Sequence, residues 1–393
     1  MSIADDVVPT AEELVARAAS LVPTLRENAI ATEKARRVLP EHFEALSEAG
    51  ILRMCTPRRY GGSEADFQTQ CDVLAHVARG CSSTSWVATI FSAMGWLASG
   101  YPDEAQDEIF GDGDVRMSGA FTPTGTGTPK DGGFVFSGRW SYNTGCHGAR
   151  WTYLTIVTPG ETEEGVLTGV IVPSSELTII EDWDASGMAG TGSNTVVAED
   201  VFVPGHRAQP LLEMVATNYP ERHNSANPYF NLPLASVLAV NGGGTPLGTA
   251  QGALEMFRER LPGRGITYTD YLVQSEAPIT HLQLGEATML IHSADAHVRS
   301  AAAILDGFTG APLSVEERVR ARAHIGHSTG LARNAVDTLF TASGASSIIR
   351  TVPIQRYQRD IQALANHAVM APATNMELYG RVLCGLPPNT PLF

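Results

Sequence analysis

Apolar residues recur at helical spacing through the first part of this chain. Thr10–Ala11–Glu12–Glu13 reads as an N-cap followed by first-turn acids, and Leu14, Ala18, Leu21, Val22 and Leu25 then mark one buried stripe. A second helix is predicted from Pro40 to Ala49 and stopped by Gly50. A turn-rich connection, Leu52 to Gly62, leads to further helices over Phe67–Ala78 and Ser83–Leu97.

From about Val115 to Pro204 the period changes to two. Gly133 to Gly138 and Thr152 to Val157 alternate, Asp131–Gly132–Gly133 signals a hairpin, and Val166–Pro173 and Thr195–Val203 read as further strands. Glu213 to Phe230, rich in Asn and Pro, reads as a mobile loop. Helical periodicity then returns. Four long helices are predicted, about Leu234–Leu261, Ala277–Phe308, Val315–Ala342 and Pro353–Val382, lengths that suit a bundle. Gly242–Gly243–Gly244 lies inside the first of these and follows no strand, so close packing or a helix break explains it better than a nucleotide loop. The expected fold class is α+β. It divides into a helical N-terminal domain (1–112), a middle antiparallel β-barrel or sandwich domain (113–212) and a C-terminal four-helix bundle preceded by a loop (213–393).

Composition narrows the partners. Of the 393 residues 43% are apolar and 18% charged, which leaves ample core and argues against wholesale disorder. The net charge of −15 repels phosphate backbones, so nucleic acid is an unsuitable partner. Five cysteines without C-x-x-C spacing indicate neither a zinc site nor a disulfide framework and suit a reduced, cytoplasmic location. The eleven histidines lack H-E-x-x-H spacing, so no metal is expected. The N-terminus lacks the pattern of a signal peptide. The apolar run Trp86–Leu97 is too short to span a bilayer, so no membrane association is expected.

Several motifs then converge. Leu46–Ser47–Glu48–Ala49–Gly50–Ile51–Leu52 precedes Pro57–Arg58–Arg59–Tyr60–Gly61–Gly62. Gly138–Arg139–Trp140–Ser141–Tyr142–Asn143–Thr144–Gly145 leads into Ala149–Arg150–Trp151. Trp183, Gly187–Met188 and Gly190–Thr191–Gly192–Ser193 precede Val201–Phe202–Val203–Pro204. Together, over roughly residues 10 to 385, these stretches resemble the acyl-CoA dehydrogenase superfamily. Where its dehydrogenases carry a catalytic glutamate near the chain's end, this sequence has His367 and Ala368, and no glutamate lies between Glu221 and Glu255 to replace it. Ser118 to Gly125, followed by Gly138–Arg139–Trp140, and Arg359–Asp360 with a histidine seven residues beyond the aspartate resemble the two-component flavin-dependent monooxygenases of the superfamily.

That resemblance implies an oxygenase component using reduced FAD or FMN, supplied by a separate reductase, and O2. Through a flavin C4a-hydroperoxide it would hydroxylate an aromatic or polycyclic, even heteroaromatic, substrate. The absence of a Rossmann-type glycine signature agrees with an external reductase. Cofactor contacts are implied at Ser118, Trp140, Tyr142, Asn143, Thr144 and Ser193. Thr144 would accept the flavin N5–H, or else satisfy a strand end. His367 would serve as acid–base, or else be structural. Arg264 is the candidate for the flavin phosphate, or a plain surface residue. Ser343–Gly344 would reach a neighbouring subunit's cofactor in a homotetramer, or form an ordinary turn. Trp86, Phe91, Met94 and Phe121 would line the substrate pocket or simply be core. An amino-sugar N-oxygenase and an acyl-CoA dehydrogenase are the alternatives on this scaffold.

Overall fold

The computed structural model describes residues 8–111, 113 and 115–393, so the boundary drawn at 112 falls on a residue outside the described ones. The chain opens with α1 (Ala11–Ala35), α2 (Pro40–Glu48), α3 (Phe67–Gly80), α4 (Ser82–Ala98) and α5 (Asp103–Phe110). Thr10 caps α1 reciprocally with Glu13, a capping box worth about 1 kcal/mol. Nearly every residue of α4 is buried, which is why its apolar run has no polar face. No helix among the described residues is long and apolar enough to cross a membrane.

The strands are β1 (Met117–Lys130), β2 (Gly133–Trp140), β3 (Trp151–Thr158), β4 (Val166–Pro173), β5 (Thr178–Ile180), β6 (Thr195–Pro204) and β7 (Ala208–Pro210). They form one sheet in the order β5-β6-β2-β1-β3-β4-β7. The sheet is antiparallel-rich, as expected, but β1 and β3 pair in parallel. A register shift between Ala120 and Gly125 lets β1 change partners along its length.

A short helix α6 (Leu211–Val215) follows, and then the segment predicted to be a mobile loop. It is a loop, as expected, and the buried Arg222 ties it to its surroundings. Its guanidinium donates to the carbonyls of Ser99 (2.9 Å), Pro220 (3.1 Å) and Phe230 (2.7 Å). With all these donors satisfied, the segment is an ordered strap over the C-terminal end of α4.

The bundle comprises α7 (Leu234–Asn241), α8 (Gly244–Arg260), α9 (Pro278–Asp306), α10 (Val315–Ala342), α11 (Ile354–Ala365) and α12 (Pro372–Leu383). Two of the four predicted helices are therefore broken. The first breaks at Gly242–Gly243. Beyond it Gly244, Gly248 and Gly252 form a stripe at i, i+4, i+8 against the carbonyls of Cys71, Ala75 and Arg79, themselves at i, i+4, i+8 of α3. A Cβ at any of the three would strike α3 backbone, so the glycines serve close helix packing. The last predicted helix breaks at Asn366–Ala371, where Pro372 starts α12 at a position that needs no donor N–H.

Candidate active site

Helix α4 is the wall on which the site is assembled. Phe91 is fully buried, stacks on Phe43 with ring centroids 5.7 Å apart, and lies against Gly145. Gly145 takes a left-handed φ of 75°. A Cβ there would meet both Val87 and Phe91, so glycine lets the Thr144 turn close onto α4. One turn earlier on the same helix, Trp86 holds His367 edge-on, with ring centroids 4.9 Å apart and planes at 72°.

Thr144 is the first member of a hydroxyl chain. Its Oγ1 lies 2.9 Å from Ser193 Oγ, which lies 2.7 Å from Thr191 Oγ1. Thr191 donates its proton to the Met188 carbonyl at 2.8 Å. That carbonyl also accepts the Thr191 N–H at 3.1 Å and the Trp183 Nε1–H at 3.3 Å, and with the hydroxyl as its shortest donor and one proton on each hydroxyl, the direction of the chain is assigned. Ser193 must donate to Thr191, and Thr144 must donate to Ser193. Thr144 is left with lone pairs only.

The chain is anchored from the bundle. Met188, itself in a left-handed conformation (φ 55°), gives its N–H to the Asp360 carboxylate at 2.6 Å. Burial pushes the Asp360 pKa up to about 6, against the lowering effects of that hydrogen bond and of Arg356 and Arg359. A Cβ on Gly187 would run into the Arg359 carbonyl, so the 187–193 segment lies directly on α11. Arg359 donates to the Ser186 carbonyl (2.6 Å) and pairs with Glu33 (2.7 Å).

His367 lies in the turn after α11, not within a continuous helix as predicted. Its side chain is exposed to solvent, with Trp86 packed against one edge of the ring. The protein packed close around the ring pushes its pKa down to about 4, so the imidazole is neutral near pH 7. The Val369 N–H donates to Nδ1 at 3.3 Å, which leaves the proton of the neutral ring on Nε2.

The other predicted residues divide. Trp140 is a correction: it is fully buried in the sheet's own core against Gly125 and Gly138, donating to the Thr155 carbonyl at 2.9 Å. Ser118 is likewise internal, bonded to Thr152 Oγ1 at 3.1 Å. Neither can touch a cofactor lying on the surface of the sheet. Tyr142 is 74% exposed and edge-on to Trp183. Asn143 is buried beside the hydroxyl chain, and neither side-chain polar atom has a partner. Met94 packs on Gly119 and, like Phe91, is core. Phe121 is half-buried against Tyr153.

Arg264, Ser343 and Gly344 do meet, on the connection after α8 and the turn after α10. Arg264 donates to the Ser343 carbonyl at 2.9 Å and lies beside Gly344. Arg260, not foreseen, joins them, with an Nη2 to Ser346 Oγ distance of 3.4 Å. Burial and the like charge of Arg264 push its pKa down, and its Nη1 is buried without a partner. Two adjacent guanidiniums with a spare donor suit an anion.

Sequence reading also missed the joint role of Thr191 and Asp360. The Gly-Thr-Gly-Ser run and the aspartate before His367 were visible, but nothing in their spacing shows that they meet Thr144 through Met188.

Family models described as the acyl-CoA dehydrogenase N-terminal and C-terminal domains match residues 9–110 and 243–372. The oxygenase subunit HsaA of a flavin-dependent monooxygenase from Rhodococcus jostii is 32% identical, over 94% of this chain and 97% of that protein. The oxygenase component of an FADH2-dependent resorcinol hydroxylase from Rhizobium is 30% identical, over 96% and 95%. The solved structure of XiaF from Streptomyces in complex with FADH2 and glycerol superposes with a TM-score of 0.89 at 31% identity, covering 97% of each chain. Two matching family models and relatives at 30–32% identity over 94–96% of its length thus place the chain in the acyl-CoA dehydrogenase superfamily, among the oxygenase components of flavin-dependent monooxygenases.

Proposed function

We propose that this protein is the oxygenase component of a two-component monooxygenase, taking reduced FAD or FMN from a separate reductase and hydroxylating an aromatic substrate with O2. The observation that carries the reading is that both Thr144 and His367 are braced on α4, the one through Gly145 on Val87 and Phe91 and the other on Trp86: an acceptor-only hydroxyl and a donor-bearing neutral imidazole.

The residues fit the cofactor. Thr144 offers lone pairs to an N–H such as flavin N5–H, and the unpartnered Asn143 amide next to it can turn to a ring edge. Arg260 and Arg264 offer charge and donors to a phosphate. When bound, reduced flavin supplies the two electrons that activate O2. Thr144 holds the N5 proton in place. Trp86 fixes the ring of His367, whose Nε2–H donates to an oxygen on the substrate or at the reacting centre. The packed α4 wall keeps water from that side of the site.

Phe91 and Met94 are core and Trp86 is largely so, which leaves the half-buried Phe121 and the edge of Trp86 beside His367 as the aromatics to meet a substrate. They favour a flat, apolar ring system, and a polycyclic or heteroaromatic phenol fits best. A dehydrogenase reading fails for want of a base: Asp360 is buried and occupied by Met188, and Ala368 follows His367. An amino-sugar N-oxygenase would need polar groups where Trp86 and Phe121 stand.

The chain assembles as a homotetramer in this reading. Exposed Ile348 and Ile349 directly follow the Ser343–Ser347 turn, and Ile279, Leu282 and Met289 of α9 are also exposed. Such surface calls for a cover, and a neighbouring copy would bring Arg264 and Gly344 to a second active site. Light scattering should give four chains per particle; an active monomer would end that part of the reading.

The test uses the protein, a flavin reductase, NADH and a panel of mono- and polycyclic phenols under 18O2. One labelled oxygen should enter an aromatic product. Product without label, or flavin reduction by an acyl-CoA, would overturn the assignment.

A further inference from the structure

The hydroxyl chain behind Thr144 has a polarity, and polarity distinguishes the two redox states of a flavin. The reduced ring carries a hydrogen on N5; the oxidised ring presents a lone pair there. Thr144 has committed its only proton to Ser193, because Ser193 has committed its own to Thr191, and Thr191 to the Met188 carbonyl. These side chains are buried, so water is not at hand to reverse the order. The order is also held mechanically. The Met188 carbonyl faces Thr191 because Met188 keeps a left-handed backbone, and the Asp360 carboxylate holds its N–H at 2.6 Å.

We propose that Ser193 and Thr191 are positioning residues that lock Thr144 as an acceptor and so make the site select reduced over oxidised flavin. The inference rests on the flavin reading above and adds to it the source of the selectivity. With the lock in place, N5–H of the reduced ring finds an acceptor, whereas N5 of the oxidised ring faces lone pairs and goes without a donor. Release of oxidised flavin back to the reductase follows from the same polarity.

The roles of the two residues predict different variants. In Ser193→Ala the Thr144 proton is freed and can turn toward N5. In Thr191→Val the Ser193 proton loses its acceptor and can reverse toward Thr144, with the same result. Thr191→Ser keeps the hydroxyl and should behave as wild type. A merely structural role would weaken both redox states together and would not separate these variants.

The measurement is the dissociation constant of FAD and of FMN in each redox state, the reduced state under anaerobic conditions, for wild type and the three variants, with thermal unfolding to confirm that each is folded. Wild type should bind reduced flavin at least tenfold more tightly than oxidised. Ser193→Ala and Thr191→Val should lower that ratio at least fivefold, mainly by tightening oxidised flavin. Each tenfold change in the ratio moves the bound two-electron potential by about 30 mV, which can be measured independently. A folded Ser193→Ala with the wild-type ratio, or a wild type without preference, overturns the lock while leaving the flavin site standing. Failure of wild type to bind either redox state overturns the flavin reading and the lock with it.

Discussion

The Asp360 carboxylate accepts the Met188 N–H at 2.6 Å, joining two parts of the chain 172 residues apart. This bond ties the turn that orients Thr144 to the helix that ends just before His367. The two proposed working groups therefore share one mechanical link. Its loss should be felt at both.

The pH dependence of that link has a definite sign. Burial raises the Asp360 pKa from 3.8 to about 6, so its contribution to stability is full below about pH 3.8 and is lost as pH rises through about 6. Asp360→Asn removes the ionisation. Relative to wild type the variant should therefore gain on the order of 2–3 kcal/mol between pH 4 and pH 7, two units of pKa being worth roughly that amount. Urea unfolding at the two pH values measures it. A constant difference would show that Asp360 ionises normally.

Much of the scaffold was legible because amphipathic period and caps act locally. The strongly capped α10 runs from Val315 to Ala342 as expected. The break before α12 was missed because apolar residues such as Leu364 and Met370 continue across it, although Pro372 marked the restart. Trp140 was misplaced because a motif gives a position on a strand but not the face on which its side chain packs. Its neighbour Thr144 lies past the strand end, where the chain turns out of the sheet. The Thr144–Ser193–Thr191 chain was illegible for a different reason. Hydrogen-bond direction depends on the Met188 carbonyl, and that carbonyl is aimed by a residue from the bundle.

Thr144→Val keeps the volume and removes the acceptor. Reduced-flavin binding should weaken only about 2–10-fold, the usual net worth of one hydrogen bond. Hydrogen peroxide released per NADH consumed should rise at the expense of hydroxylated product. Unchanged coupling would take Thr144 out of the mechanism.

Arg264→Ala should weaken FAD and FMN binding by at least tenfold and flatten its salt dependence, because a charged partner of the phosphate is lost. Riboflavin, which has no phosphate, should bind wild type and variant alike. An equal loss for riboflavin would mean that Arg264 only supports the turn at Ser343.

His367→Asn should cut product formation by roughly 10²–10⁴-fold if the imidazole moves a proton. Its pH signature is the sharper test. The folded pKa is lowered from 6.5 to about 4, so the ring's contribution to stability is present above about pH 6.5 and is lost as pH falls through about 4. Between pH 6 and 8 the ring is neutral throughout, with the Val369 N–H on Nδ1 and the proton on Nε2. Product formation by wild type should therefore show no inflection near 6.5, and His367→Asn should run parallel to it at a lower rate. His367→Ala should be no better than His367→Asn, because Ala has no N–H to donate whereas the Asn amide keeps one. An inflection near 6.5 that vanishes in His367→Asn would mean that the ring titrates in the working enzyme and acts as a base. A wild-type rate in the Asn variant would leave His367 as the packing partner of Trp86 alone.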